Sequence, residues 1–461
     1  MKTSARSTLA VAACAGLLVL GAPPAGAGKR VTCGAQEPTI RGSSRSEVLR
    51  GTNGTDIVLA LGGNDVIRSF GGGDVICGGG GNDRIFAGGG NDLVKSGPGS
   101  DSLEGGAGRD QLQGGGGSDE LRGGTGALDV LFGGNGRDRL EGGAGADLLI
   151  GELGDDVIDG GGAGDVVSYI TSPKGVGVNL GNGRSRGGDG ADRIFGVEAL
   201  EGSPFADRLV GSSGVDTIFG ETGDDNVNGA GGNDIVDGGG DNDQLDGGAG
   251  FDFVDYSEVE RRGVTVSMNV GEATGQGFDT LDGIEGVLGS PNADVITGGG
   301  GGESLFGSGG NDRVSGGAGD DTLEGGKGND ELNGGDGFDF ALYLFSDGGV
   351  TVDLQAGTGS GEGNDDLASV EGVTGSPFAD VLSGTAGANA LFGSAGNDTL
   401  SGRDGNDDLD GGDGTDTLDG GVGNDECVAG ETVTNCEESE ALRSMRRPVA
   451  RTHVYARSRN P

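Results

Sequence analysis

Tryptophan is absent from the 461 residues, aromatic residues make up 4%, and there is a single histidine, His453. So little bulky apolar material makes a conventional close-packed core a poor expectation at this length. One histidine excludes a zinc-protease helix, which needs two in HExxH. Cationic side chains are also scarce: 30 Lys and Arg stand against 74 Asp and Glu, a net charge of −44. Nucleic acid is bound through clustered Lys and Arg, so this balance argues against it as a partner and for cations instead. Beyond the first 27 residues no apolar run is long enough to span a bilayer, and no transmembrane segment is expected.

The first 27 residues read as an export signal: Lys2 and Arg6, the apolar run TLAVAACAGLLVLGA, then the small-residue pattern Ala25-Gly26-Ala27. The expectation is a secreted, extracellular protein. Lipoprotein anchoring at Cys14, the last residue of VAAC, is the minor alternative, disfavoured because the apolar run continues past it. Cleavage leaves Cys33, Cys77, Cys427 and Cys436, an even number suited to an oxidising compartment. Of the three pairings, their grouping favours Cys33 with Cys77 and Cys427 with Cys436, each fastening one end of the chain; free thiols are the alternative.

What the chain has in quantity is glycine, 111 residues. At random that density would mean a disordered segment. Here it is periodic. Aspartate recurs every nine residues at Asp56, Asp65, Asp74, Asp83, Asp92, Asp101, Asp110 and Asp119. After one extra residue it resumes at Asp129, Asp138, Asp147, Asp156 and Asp165. Two places after each stands an aliphatic, from Val58, Ile67 and Ile76 through Ile158 and Val167. In a phrase such as GGGGNDRIF (78–86), the last three residues fit a short strand whose middle aliphatic points inward. The glycines let the first six turn sharply, and the Asp adds a carboxylate.

These phrases resemble the GGxGxDxUx nonapeptide of the RTX, or haemolysin-type, calcium-binding family; GGAGRDQLQ (105–113), GGNGRDRLE (133–141) and GGKGNDELN (325–333) match at every fixed place. The resemblance implies an all-β fold, a right-handed parallel β-roll or β-helix solenoid with two nonapeptides per turn, in which loops eighteen residues apart share a calcium ion. Asp74 would then face Asp92, and Asp83 would face Asp101. On that basis the expected ligands are Asp56, Asp65, Asp74, Asp83, Asp92, Asp101, Asp110, Asp119, Asp138, Asp147 and Asp156 in the first array. In the later arrays they are Asp216, Asp225, Asp234, Asp243, Asp312, Asp321, Asp330, Asp398, Asp407, Asp416 and Asp425. Glu303 and Asn389 fill two beats where Asp is expected, and weaker sites are anticipated there.

After Asp165 a longer unit appears three times, as DVVSYITSPKGVGVNL, DFVDYSEVERRGVTVSMNV and DFALYLFSDGGVTVDL, beginning at Asp165, Asp252 and Asp339. The 87-residue interval suggests duplication of one module. The expected organisation is a signal peptide (1–27), an N-terminal cap (28–46), a first β-roll block (47–168), three super-repeats of spacer plus nonapeptides (169–255, 256–342, 343–428), and a C-terminal cap with a basic tail (429–461). The alternating Val176, Val178, Leu180 and Val350, Val352, Leu354 suggest longer strands forming wider, calcium-free rungs. Tyr169, Tyr256, Tyr343, Phe205 and Phe378 are read as core filling rather than a ligand platform. The tail's six Arg could touch anionic surface polymer or shield the last rung.

Without the signal, 28 basic residues oppose 74 acidic ones. Roughly 20 calcium ions, about +40 of charge, would nearly neutralise the chain. Without them, like charge and glycine entropy oppose a thin core, so binding energy becomes folding energy. The functional expectation is a secreted calcium-binding structural or surface-interaction protein, with cell-surface polymer or another extracellular matrix component as a candidate partner. An enzyme is not expected. GRSRG (183–187) matches a GxSxG elbow, but it lies in a glycine-rich spacer without a strand-to-helix pattern, and the only His is in the tail. A polysaccharide-acting enzyme or accessory module on a β-helix is the alternative. Ice binding would need a threonine ladder, whereas the third place reads Asn53, Gly62, Gly71, Gly80, Gly89, Pro98 and Ala107. RTX toxins typically leave the cell by a C-terminal signal, and the N-terminal one here weakens any carry-over of toxin activity.

Overall fold

A strand of three residues turns a single side chain inward, too little to persist alone, so it must stack on copies of itself. The computed structural model describes residues 37–126, 128–162, 164–430 and 432–436, and they stack in this way. They fall into two compact units divided between Asp252 and Phe253. Each unit is a parallel β-solenoid with no α-helix among its described residues. The signal peptide, Cys33 and the basic tail lie outside the described residues.

In the first unit, alternate strands enter alternate sheets. Ile57–Leu59, Val75–Cys77 and Leu93–Pro98 pair in parallel in one sheet, with Val58 opposite Ile76 and Ile76 opposite Val94. Val66–Arg68, Arg84–Gly89 and Ser102–Ala107 do so in the other, with Ile67 opposite Ile85 and Ile85 opposite Leu103. Partners are eighteen residues apart, so two nonapeptides make one turn. The extra residue after Asp119 changes the register to Leu112 opposite Leu131 and is absorbed in a loop where Leu128 takes φ 70°. The second unit repeats the scheme, for instance Val287 opposite Leu305 and Leu305 opposite Leu323.

The middle residue of each strand builds the interior: Val58, Ile67, Ile76, Val94, Leu103, Leu112 and Leu121 are all at 0% exposure. One such side chain contributes about 1.5–3 kcal/mol. On the outer side of the first sheet Val130, Leu148, Ile150 and Val166 form a second buried cluster with Leu128 and Phe132, where simple alternation would have left them in water. At the C-terminal end Cys427 and Cys436 are joined as expected, their Cα atoms 5.8 Å apart. Cys77 takes part in a disulfide, and its expected partner lies outside the described residues.

The spacers differ from the wide rungs expected of them. In the first, Val176–Asn179 runs antiparallel to Arg184–Gly187, which runs antiparallel to Arg193–Phe195. The third of these strands lies parallel to Val157–Gly162 and the first lies parallel to Arg208–Val210. A folded-back meander of three strands therefore occupies the place of one. In the other sheet Val166–Ser168 pairs directly with Ala199–Glu201. The chain reverses at a 3-10 turn, Leu180–Asn182, closed by Gly183 at φ 63°. In the second unit Thr265–Ser267, Glu272–Thr274 and Phe278–Asp282 repeat the meander, as do Thr351–Asp353, Thr358–Ser360 and Asn364–Ala368. Phe205 and Phe378, expected in the core, are 45% and 47% exposed, because they stand at a loop place that faces away from the strands.

Close stacking fixes where glycine is needed. Gly81 has φ +119°, and a Cβ there would come within 2.0 Å of the Gly63 carbonyl oxygen one turn below, whereas a Cβ on Gly80 would meet nothing within 4 Å. Gly81→Ala is expected to raise the calcium concentration at half-folding several-fold and Gly80→Ala to leave it within about twofold, read by circular dichroism during calcium titration.

Candidate metal centre

The nonapeptide loops form ladders of aspartates. The Asp56 amide donates to Oδ1 of Asp74, the Asp74 amide to Asp92, and so on through Asp110, Asp129, Asp147 and Asp165, at 2.7 to 2.9 Å. A second ladder runs from Asp65 through Asp83, Asp101, Asp119 and Asp138 to Asp156. Further on, Asp207 bonds to Asp225, Asp225 to Asp243, Asp216 to Asp234 and Asp234 to Asp252. In the second unit the chains are Asp294, Asp312, Asp330 and Glu303, Asp321, Asp339, followed by Asp380, Asp398, Asp416 and Asn389, Asp407, Asp425. The expected juxtapositions of Asp74 with Asp92 and of Asp83 with Asp101 are both present.

One carboxylate oxygen is thus used by protein and the other is not. Oδ2 of Asp65, Asp74, Asp83, Asp92, Asp101, Asp110, Asp119, Asp138, Asp147 and Asp156 is buried without a hydrogen bond. The same holds for Asp225, Asp234, Asp312, Asp321, Asp330, Asp398, Asp407 and Asp425. It also holds for Asp129, Asp165 and Asp339, which sequence reasoning counted in the series but did not select as ligands. Native proteins rarely leave a buried charged oxygen bare, and a row of them at one repeated place fits a series of cation sites. Among the described residues no three His, Cys, Asp or Glu side chains converge. A calcium ion, which takes six to eight hard oxygens, must therefore draw most of them from loop backbone.

Other aspartates on the same beat are fully occupied. Ser203 donates to both oxygens of Asp207, Oγ to Oδ1 and its amide to Oδ2, while the Val176 amide also reaches Oδ1. Ser290 and Val264 do the same for Asp294, and Ser376 and Val350 for Asp380. Two expected ligands share this arrangement. Oδ2 of Asp56 accepts from the Thr52 amide at 2.6 Å and hydroxyl at 3.0 Å, and Oδ2 of Asp216 accepts from the Ser212 amide at 2.6 Å. Asn389 stands in the same relation to Thr385 and carries no charge at all. The signal that marks such loops was visible: Ser or Thr at the second place of the first repeats of a block.

The opposite end of a ladder is closed by tyrosine. The Asp156 amide donates to Oδ1 of Asp192, whose Oδ2 accepts from the Tyr169 hydroxyl at 2.9 Å and the Ser185 hydroxyl at 2.6 Å. Tyr256 meets Asp279 and Tyr343 meets Asp365 in the same way. Burial holds the Tyr169 and Tyr343 phenols well above their usual range, so they remain donors. These tyrosines are core residues, as expected, with a polar function that the sequence did not suggest.

The RTX calcium-binding nonapeptide repeat, taken in blocks of four copies, matches residues 41–127, 132–167, 201–254, 287–341 and 374–427. The chain belongs to the RTX calcium-binding nonapeptide-repeat family. Its RTX loops are those carrying the aspartate ladders, and all three spacer meanders fall outside the matched blocks. A hyperactive, Ca2+-dependent, β-helical antifreeze protein from an Antarctic bacterium is similar at 18% identity, with a TM-score of 0.23, over 65% of this chain and 84% of that one. No curated protein matches the chain.

Desolvation, outweighing the amide hydrogen bond and reinforced by repulsion from neighbouring RTX loops, pushes Asp83 up to about 6, Asp110 and Asp119 up to about 7 and Asp156 up to about 8. A carboxyl group whose pKa is higher folded than unfolded favours the fold while protonated, and that contribution is lost as pH rises through the folded value. In chelator, β structure is therefore expected to be greatest near pH 4 and to fall between about pH 6 and 8. With calcium the sign reverses, because only the ionised carboxylate binds, and apparent affinity should drop as pH falls through the same window. Circular dichroism against pH, with and without chelator, checks both; parallel curves would contradict them.

Proposed function

We propose that the protein is a secreted, non-catalytic structural or surface-interaction protein whose solenoid is ordered by calcium outside the cell. The single observation behind this reading is the row of buried, unbonded aspartate oxygens, repeated turn after turn where the amide ladder has already taken the other oxygen of each group. Calcium bound there would supply positive charge and link loops on successive turns. Asp65 through Asp165, excluding none of the intermediate beats, would hold ions in the first array, with Asp225, Asp234, Asp312, Asp321, Asp330, Asp339, Asp398, Asp407 and Asp425 among the later ligands. Asp56 and Asp216 serve better as caps, since their second oxygen is already bonded. Secretion through residues 1–27 would place folding where calcium is abundant. Ordering after export suits a chain whose net charge is −44.

Calcium titration followed by circular dichroism tests this reading. A cooperative gain of β signal is expected, and persistence of the compact β structure at pH 7.5 in chelator would overturn it. Asp83→Asn should lower the number of ions counted by calorimetry by one or two and raise the midpoint several-fold. Asp207→Asn, at a hydroxyl-capped place, should leave the count unchanged.

A further inference from the structure

On a chain this acidic, four arginines stand together on one outer sheet face, three on the first spacer meander and Arg208 on the nonapeptide strand paired with it. Arg184 lies opposite Arg193 on adjacent strands, and Arg186 and Arg208 flank Gly177 from either side. With strands about 4.8 Å apart, the last two are roughly 10 Å from one another. All four are exposed. Gly177 lacks a side chain, and the Arg186 stem lies over it: a Cβ there would be 3.5 Å from Arg186 Cγ. The Arg193 guanidinium sits 5.3 Å from the centre of the Phe195 ring, which is itself 44% exposed. None of the four forms an ion pair among the described residues, whereas Arg122, Arg137 and Arg139 earlier in the unit do. Asp159 lies opposite Phe195 on the neighbouring strand. Beyond Arg208 the row continues into amides, Asn226 and then Gln244, joined at 3.0 Å.

The other two meanders supply an internal comparison. The places of Arg184, Arg186, Arg193 and Arg208 are held by Glu272, Thr274, Thr280 and Val295 in the second and by Thr358, Ser360, Asp366 and Val381 in the third. The meander therefore forms without arginine, and the four guanidinium groups are not explained by folding.

We propose that this plate binds a linear acidic polysaccharide. Guanidinium groups pair with sulfate or carboxylate, the exposed ring offers a face to a sugar, and the amide row offers donors and acceptors to hydroxyls. A flat strand face suits an extended polymer, and the surrounding acidity disfavours a nucleic-acid duplex, whose charge is dense along its whole length. The proposal rests on the calcium-ordered reading for one consequence only. Ions in the loops remove the repulsive field around the plate, so capture strengthens when calcium is present.

Binding of the full chain to immobilised dextran sulfate, with neutral dextran as reference, tests the plate at saturating calcium. The wild type should bind dextran sulfate and not dextran. The variant Arg184→Thr, Arg186→Thr, Arg193→Thr, Arg208→Val, each change taken from a sibling meander, should lose at least tenfold in affinity with its β signal and calcium midpoint unchanged. Arg313→Thr in the second unit should change affinity by less than twofold. Absence of wild-type binding, retention of affinity by the quadruple variant, or tighter binding of duplex DNA than of dextran sulfate would each overturn the proposal. A protein that stays folded in chelator while the quadruple variant still loses binding would refute the calcium reading and leave the plate standing.

Discussion

Everything in this structure depends on one hydrogen bond made with one half of a carboxylate. The amide of each ladder aspartate needs an acceptor inside the solenoid, and the aspartate one turn further along provides it through Oδ1. The geometry that satisfies the amide stacks like charges at about the strand spacing. At an effective dielectric constant of about 20, two such charges repel by about 3 kcal/mol. A ladder of many rungs cannot keep all its carboxylates ionised without a counter-charge between them, which protons supply at low pH and a divalent cation supplies at neutral pH. The thin aliphatic interior, one side chain per strand, is not built to carry that load alone.

A ladder that depends on its neighbours must also be ended, and the chain ends it with neutral hydroxyl donors. Where a block begins, Ser203, Ser290 and Ser376 satisfy an aspartate that has no preceding nonapeptide loop. Where the first and third blocks end, Tyr169 and Tyr343 reach across the meander to Asp192 and Asp365. Each hydroxyl takes the place at which a further ion would otherwise be required. Termination is thus local, and the repeat can be interrupted and restarted without leaving bare charge at the break.

Much of this was legible in the sequence, because both nine-residue registers are simple. The aspartate beat and the aliphatic two places later pointed to short stacked strands, and the family resemblance implied the eighteen-residue step that pairs Ile76 with Val94. The meanders were not legible, since Val176 and Val178 alternate equally well as a parallel rung or as one arm of a hairpin. The glycines of Gly181-Asn182-Gly183, which close the reversal, were a turn signal easily lost in a glycine-rich chain. The difference between Asp56 and Asp65 was hidden as well. Both sit on the same beat, and only the threonine four residues before Asp56, which bonds to it, separates a cap from an open ligand. Tyr169 read correctly as core, while its hydroxyl partner Asp192 lies 23 residues away in GGDGADRIF (187–195), a phrase of nonapeptide form set inside the spacer.

The meanders show how a solenoid under this constraint can still diversify. Their inward places are restricted: Val178, Val266 and Val352 are all buried, and Asp192, Asp279 and Asp365 all receive a tyrosine hydroxyl. Their outward places touch neither the ion ladder nor the interior, and there the three copies have moved apart, to arginine in one and to neutral or acidic residues in the others. A nonapeptide loop has no such freedom, because glycine and aspartate are fixed in it by close stacking and charge. Freedom to vary therefore lies on the segments that interrupt the repeat, and the proposed division of labour follows it, with recognition on the spacers and calcium-ordered support in the nonapeptides.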